Sequence, residues 1–316
     1  MKAMINRAHI EGLLYSHSLE LKITGDKSKN PGTQFISGTI DIATDDACLN
    51  IVSVHFTYVT ATTAKGSANA TFTTLANVIS GTYPTVVAAG KENAAKMTVD
   101  TAVALNDFYT DRNGTVELVS AKRNEGGFVH VVQSLRSEAE RNKTQLDIVI
   151  YGTAFVEANE ERNLPEKLIV KGYIFNFRND ILPVELSVLN PNAIAYFEGL
   201  DASEAEPVFT QVYVNQIAQT GTRTVETESA WGDTIVNEYQ TTHKDFVIYN
   251  AVKEPYDFGD AEVLTKSDIK TKLAEREVML ATVKARWEEY KNSNSAVPAS
   301  APAASAGTAA KGGFNF

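Results

Sequence analysis

The stretches FISGTIDIAT at residues 35–44 and IVSVHFTYVT at residues 51–60 decide the fold class. In the first, Ile36, Gly38, Ile40 and Ile42 fall on one face. In the second, Val52, Val54, Phe56 and Tyr58 share a face, and Ser53, His55 and Thr57 share the other. A period of two with one apolar side is the pattern of a half-buried antiparallel strand.

Working outward, His9 to Leu21 reads as a strand, and Gly25 to Gly32 as a loop rich in turn formers. Residues 70–95 turn to Ala, Leu, Asn and Lys, which predicts helix broken near Gly81 and Pro84. Strand pattern returns at Met97 to Tyr109, followed by Asn113-Gly114, a hairpin-turn signal. Thr115 to Lys122 and Phe128 to Val132 read as strands joined through Arg123-Asn124-Glu125-Gly126-Gly127. Residues 1–135 thus predict a domain of about five strands with a helical insert before the fourth.

Residues 144–258 predict a second β-rich domain. Its expected strands are Leu146–Ala158, Lys167–Phe177, Leu182–Leu189, Val208–Ala218, Thr222–Ser229, Val236–Thr242 and Phe246–Val252, with a short helix in Asn190–Gly199. The two blocks are alike in style, not in residue identity. Thr265 and Asp268 form a capping-box pattern ahead of a stripe of Ile269, Leu273, Leu280, Val283, Trp287 and Tyr290, so residues 265–291 predict a helix. Residues 292–316 are Ala/Pro/Ser/Gly-rich, the composition of a flexible linker, and end in Gly-Gly-Phe-Asn-Phe. The fold class expected is mainly β with minor α.

Composition removes several function classes. One cysteine, Cys48, allows neither an internal disulfide nor a multi-cysteine zinc site. The histidines His9, His17, His55, His130 and His243 show no metal-ligand spacing. No phosphate-binding glycine loop, dinucleotide fingerprint or nucleophile elbow occurs. The expectation is a protein with no enzymatic activity, cofactor or metal. No apolar run approaches the roughly 18 residues of a membrane helix, and no signal-peptide pattern opens the sequence, so a cytoplasmic protein is expected. The net charge of −10 argues against a surface coated with basic residues but allows a local basic groove.

The opening Met4-Ile5-Asn6-Arg7-Ala8-His9-Ile10-Glu11-Gly12-Leu13-Leu14, with Leu19-Glu20-Leu21-Lys22 after a turn, resembles the first strand of bacterial-type single-stranded DNA-binding proteins. The alternation of Ile36 to Ala43 and the order of elements through residue 132 are similar to that family as well. The resemblance covers about the first 130 residues. It implies an OB-type β-barrel for the N-terminal domain and a role in DNA replication, recombination or repair; the second β-rich domain, for which an OB-like fold is one option, and the C-terminal helix are extra to the family. It also suggests a phage-encoded protein of the host cytoplasm. The family carries a flexible tail whose tip docks partner proteins. Phe314 and Phe316 would do so here, although this tip lacks the acidic residues of the family's.

Binding single strands without sequence preference needs aromatic faces for the bases and cations for the phosphates. Strand parity separates Phe35 from Ile36, Ile40 and Ile42, and Phe108 from Met97, Val99, Val103 and Leu105, so both are candidates for the groove. In the second block Phe209 and Tyr213 oppose Val208, Val212 and Val214, while Tyr173 shares a face with Lys171, Phe175 and Phe177. The preferred cations are Lys27, Lys29, Arg112, Lys122, Arg123 and Lys171. By the same parity Phe56 and Tyr58 are expected in the core. The composition fits a β-rich structural or assembly protein of a virion equally well, and a homo-oligomer is compatible with either function.

Overall fold

The computed structural model describes residues 4–159, 165–228, 231–256 and 264–295. Among the described residues eleven strands form one continuous sheet that closes on itself twice. The first ring uses β1 (Asn6–His17), β3 (Gln34–Ala43), β4 (Ile51–Thr60), β5 (Lys96–Arg112) and β6 (Thr115–Val131), while β2 (Glu20–Ile23) extends it along β3. Its pairings run β1–β3–β4–β6–β5 and back to β1, antiparallel except for β4–β6. Helix α1 (Ala70–Ile79) lies between β4 and β5 in the chain, followed by the short α2 (Val86–Ala89).

The second ring repeats this order. β7 (Asn142–Val156), β8 (Lys167–Phe175), β9 (Ile181–Val188), β11 (Thr234–Ala251) and β10 (Val208–Glu228) return to β7, and again the link from third to fifth strand, β9–β11, is parallel. Helix α3 (Pro191–Gly199) occupies the place of α1. Both rings have the five-stranded Greek-key order of an OB-type barrel. The likeness between the two sequence blocks is therefore a likeness of topology.

Each ring is filled from its inward faces and plugged by its helix. Leu75 and Val78 of α1 join Ile36, Ile40, Val54, Phe56, Met97 and Val99 in the first core. Phe197 of α3 joins Ile148, Val170, Val184 and Val212 in the second. Asn69 and Asn190 cap these helices by accepting from backbone N–H groups two residues on, Thr71 and Asn192. At Gly12 a Cβ would lie 1.9 Å from the carbonyl oxygen of Ala43, so glycine lets β1 bend against β3.

Several strand boundaries differ from expectation. Arg123 to Gly127 is not a connection but the middle of β6, where a bulge places Gly126 and Gly127 opposite Thr101. Gly127 has φ +112°, and a Cβ there would meet the Asp100 carbonyl at 2.1 Å. The turn-forming glycines satisfy a bulge rather than a loop. Likewise, the two strands expected within Val208–Glu228 are one, as are the two expected within Thr234–Ala251, because ladder bonds continue past Gly221. The Asn113-Gly114 hairpin is present, with φ of 54° and 83°.

Helix α4 (Lys266–Ser295) straps the two barrels together. Thr265 and Asp268 close the expected capping box, with Asp268 N–H donating to Thr265 Oγ1 at 3.1 Å and Thr265 N–H to Asp268 Oδ2 at 2.9 Å. The helix continues past the expected end at Lys291, since Asn292 to Ser295 hold no proline or glycine to stop it. Its first turns bury Ile269 outside the second barrel against Val149, Phe175, Ile181 and Phe209. Further along, Arg276 pairs with Asp107 of β5 at 2.8 Å, with side chains 8 % and 7 % exposed. Trp287 then lies 6.5 Å from Tyr109, and Lys291 bonds Asp111.

The second barrel also holds buried charge. Lys167 Nζ donates to Asp245 Oδ2 at 2.6 Å and to Ser187 Oγ at 3.0 Å, and Ser187 bonds Asp245 in turn. Burial opposes the Asp245 charge, but Ser187, Lys167 and the Phe246 N–H overcome it and hold the pKa below the ordinary carboxylate value.

Arg276→Ala should destabilise the protein by about 3–5 kcal/mol in denaturant titration, since it strands a buried Asp107 charge. Because the folded pKa of Asp245 lies below its unfolded value, its contribution is complete above the ordinary carboxylate pKa. It is lost as pH falls through the folded value. Asp245→Asn should therefore flatten the acid limb of the stability–pH curve, and an unchanged limb would contradict this assignment.

Candidate nucleic-acid interface

In the first barrel the outer side of β3 and β4 carries the clearest aromatic pair. Phe35 is half-buried, Tyr58 is 49 % exposed, and their ring centroids are 4.7 Å apart. Tyr58 is not in the core, although its spacing from Phe56 predicts that it should be. Ile36 pairs with Val59 and Gly38 with Phe56, so Thr57 and Tyr58 together oppose Ser37. The bulge reverses the alternation, leaving Phe56 fully buried and turning Tyr58 outward onto Phe35.

Cations stand beside this pair. Lys22 is directly opposite Phe35 in the β2–β3 ladder, with its Nζ 2.9 Å from Glu20. The loop from β2 to β3 carries exposed Lys27 and Lys29 and is closed by Thr24 N–H donating to the Thr33 carbonyl at 3.0 Å. Toward the other end the same face is polar and internally satisfied: Asp41 accepts from Ser16 and Ser53, and Glu125 accepts from Thr57 and Arg123. Arg123 is thus held by Glu125 rather than left open to a phosphate.

The β5–β6 hairpin presents a second surface. Asp107, Tyr109 and Asp111 face α4, so Phe108 and Arg112 share the side turned away, where Phe108 is 41 % exposed and Arg112 exposed. Lys122, on the partner strand, is a correction. Its Nζ donates to the Glu185 carbonyl of the second barrel and sits 5.1 Å from the Phe246 ring. Burial pushes its pKa down, against the pull of Asp245 and Glu185. It ties the barrels together and does not face a groove.

In the second barrel Tyr173 stacks on Tyr151, with centroids 4.4 Å apart and planes at 25°. Both line a cavity of about 370 Å³ with Glu204, Lys266 and Lys270 at its rim. Lys171 is half-buried two pairs further along, opposite Glu185. Phe209 is the second correction. Parity does place it outside the barrel, but it is only 2 % exposed because Met4, Ile269 and Tyr256 cover it. Tyr213 is half-buried, and its hydroxyl donates to Gln211 Oε1 at 3.0 Å. Phe314 and Phe316 lie outside the described residues.

The family model that matches this chain is YorF, over residues 5–286. The chain belongs to the YorF family. No curated protein matches it. Among solved structures, a deletion mutant of the single-stranded DNA binding protein from Thermus aquaticus aligns with TM-score 0.43 and 9 % identity, covering 82 % of this chain and 99 % of that one. A Replication Protein A heterotrimer bound to ssDNA aligns with TM-score 0.22 and 10 % identity, covering 83 % and 68 %. The barrel assignment of this YorF-family chain rests on its own strand order. No helix among its described residues is long and apolar enough to cross a membrane.

The bulge in β4 predicts opposite outcomes at neighbouring positions. Phe56→Ala should cost about 3–5 kcal/mol in thermal or chemical unfolding. Tyr58→Ala should change stability by no more than about 0.5 kcal/mol, as an exposed position does. Equal losses at both sites would place Tyr58 in the core after all.

Proposed function

We propose that this YorF-family protein binds single-stranded DNA, independently of sequence and without catalysis, in replication, recombination or repair. The observation that carries the proposal is the Phe35–Tyr58 pair on the outer β3–β4 face, beside Lys22, Lys27 and Lys29. In OB-type barrels the second and third strands and the adjoining loops form the surface on which oligonucleotides lie. Exposed rings there stack on any base, and neighbouring cations take the phosphates. The tail residues Phe314 and Phe316 would add a docking point for a replication or recombination partner.

With a net charge of −10 and few free cations on the face, the protein should make few phosphate contacts. Oligo-dT binding followed by fluorescence polarisation should weaken linearly in log–log form with salt. The slope should be about −1.4 to −2.8, corresponding to two to four phosphates. Phe35→Ala with Tyr58→Ala should lower affinity by roughly 1–3 kcal/mol per stacked base without unfolding the protein. Undetectable binding at about 50 mM salt, where phosphate contacts are strong, would overturn the proposal.

A further inference from the structure

The far side of the sheet carries an aromatic surface that belongs to neither the β3–β4 face nor the cavity at Tyr173. It lies where β1, β7, β10 and β11 run side by side. Arg7 is opposite Gln145, Gln145 is opposite Tyr213, and Tyr213 pairs with Asn250. Tyr249 is the extra residue of the bulge next to that last pair and is 43 % exposed. Its ring centroid is 6.3 Å from that of Tyr213, and Lys143 Nζ lies 3.9 Å from its centre. Tyr256, 40 % exposed, rests on Phe209 beside them.

These rings stand on a fixed base. Asp147 accepts from Gln211 Nε2 at 2.8 Å, and Gln211 Oε1 accepts from Gln145 at 2.8 Å and from Tyr213 at 3.0 Å. The carboxylate nearest the rings is thereby turned inward and satisfied, also accepting from Ile5 N–H at 2.7 Å. His9, opposite Lys143, meets Asp100 and Glu11 at 2.9 Å and 3.2 Å. Lys143 and exposed Arg7 bring positive charge to the tyrosines; the half-exposed Asp100 carboxylate is held by His9, and exposed Lys253 and Glu254 precede Tyr256 together.

We infer that this junction is a second track for single-stranded nucleic acid, with bases on Tyr213, Tyr249 and Tyr256 and phosphates on Lys143 and Arg7. The inference rests on the single-strand binding proposed above and assigns it a separate surface. The occupant follows from complementarity: flat aromatic faces on β10 and β11 stand beside cations on β7 and β1, over three strand gaps, about 14 Å. A cation already over the Tyr249 ring is positioned to meet the phosphate of a base stacked there. Helix α4 covers the outer side of the second barrel around Phe175, Ile181 and Phe209, and among the described residues Tyr249 and Tyr256 remain exposed.

The test uses the full chain, an oligo-dT of about eight nucleotides, within the span of one barrel, and a matching oligonucleotide carrying photoreactive 5-iododeoxyuridine. Tyr249→Ala combined with Lys143→Ala should lower affinity about tenfold or more, both in the wild-type background and in the Phe35→Ala/Tyr58→Ala background. Tyr249→Phe should keep the affinity, because stacking needs the ring and not the hydroxyl. Photocrosslinks mapped by mass spectrometry should fall on Tyr213 or Tyr249. If the double variant were to lose its thermal transition, Lys143→Glu and the crosslinks alone decide. Unchanged affinity with no crosslink at these tyrosines, while Phe35→Ala/Tyr58→Ala still weakens binding, overturns the junction track and leaves the proposed function standing. Loss of self-association or of a protein contact without loss of oligonucleotide affinity also overturns it. A wild-type chain that binds no oligonucleotide overturns both.

Discussion

The structure depends on β1 being shared. From Ala8 to Ile10 this strand bonds to β5 on one side and β7 on the other, and further along it bonds to β3. One strand therefore closes the first barrel and carries the edge of the second. Asn6 fixes the point of exchange: its amide donates to the Val103 and Phe175 carbonyls, and its Oδ1 accepts from Val103 N–H. Each barrel thus supplies a backbone group to the same side chain. Beside it a buried amide cluster repeats the logic. Gln216 of β10 exchanges two side-chain bonds with Asn124 of β6, and its backbone carbonyl accepts from Asn50 and Asn142. Removing any of these amides would leave buried polar groups unpaired, so the barrels are held in register by satisfaction as much as by burial.

With the barrels fixed, bulges determine where the tyrosines point. In β1 the residue inserted between Leu14 and Ser16 is Tyr15; in β7, between Ile150 and Gly152, it is Tyr151; in β11, between Ile248 and Asn250, it is Tyr249. Tyr58 occupies the bulge of β4. An inserted residue breaks the alternation that would otherwise commit it to one face, and strong barrel curvature needs such insertions. The first strands of the two barrels carry theirs at corresponding places, Tyr15 and Tyr151, so the topological repeat extends to a bulge and its residue type. The same geometric device closes the barrels and exposes rings.

Alternation made the barrel strands, the hairpin at Asn113-Gly114 and the capping box at Thr265 legible in the sequence, because each is a local rule. The candidate site was legible only where the alternation was unbroken. Phe35 stands outward as its parity requires. Tyr58 does not follow parity, because a bulge leaves no mark on hydrophobic spacing. Phe209 shows a different limit: parity gave its side of the strand correctly, but a helix that starts more than fifty residues later covers it. Lys122 is lost to the site for a similar reason, since its partner Glu185 belongs to the other barrel. Tyr249 and Lys143 come together only through strand pairing between β7, β10 and β11, which no linear pattern announces.

The acidic balance of the chain fits this distribution. Many cations are committed internally: Lys122 to Glu185, Lys167 to Asp245, Arg141 to Asp46, Arg276 to Asp107 and Lys291 to Asp111. All five join residues far apart in sequence, and Lys122, Arg276 and Lys291 tie the first barrel to the second or to α4. Part of the positive charge in this protein thus holds the two barrels and α4 in place. Among the outward cations, Lys22, Lys27 and Lys29 stand near Phe35 and Lys143 near Tyr249. An interface built this way gains more from stacking than from neutralised phosphates. Its affinity should therefore depend on the number of accessible bases more than on ionic strength.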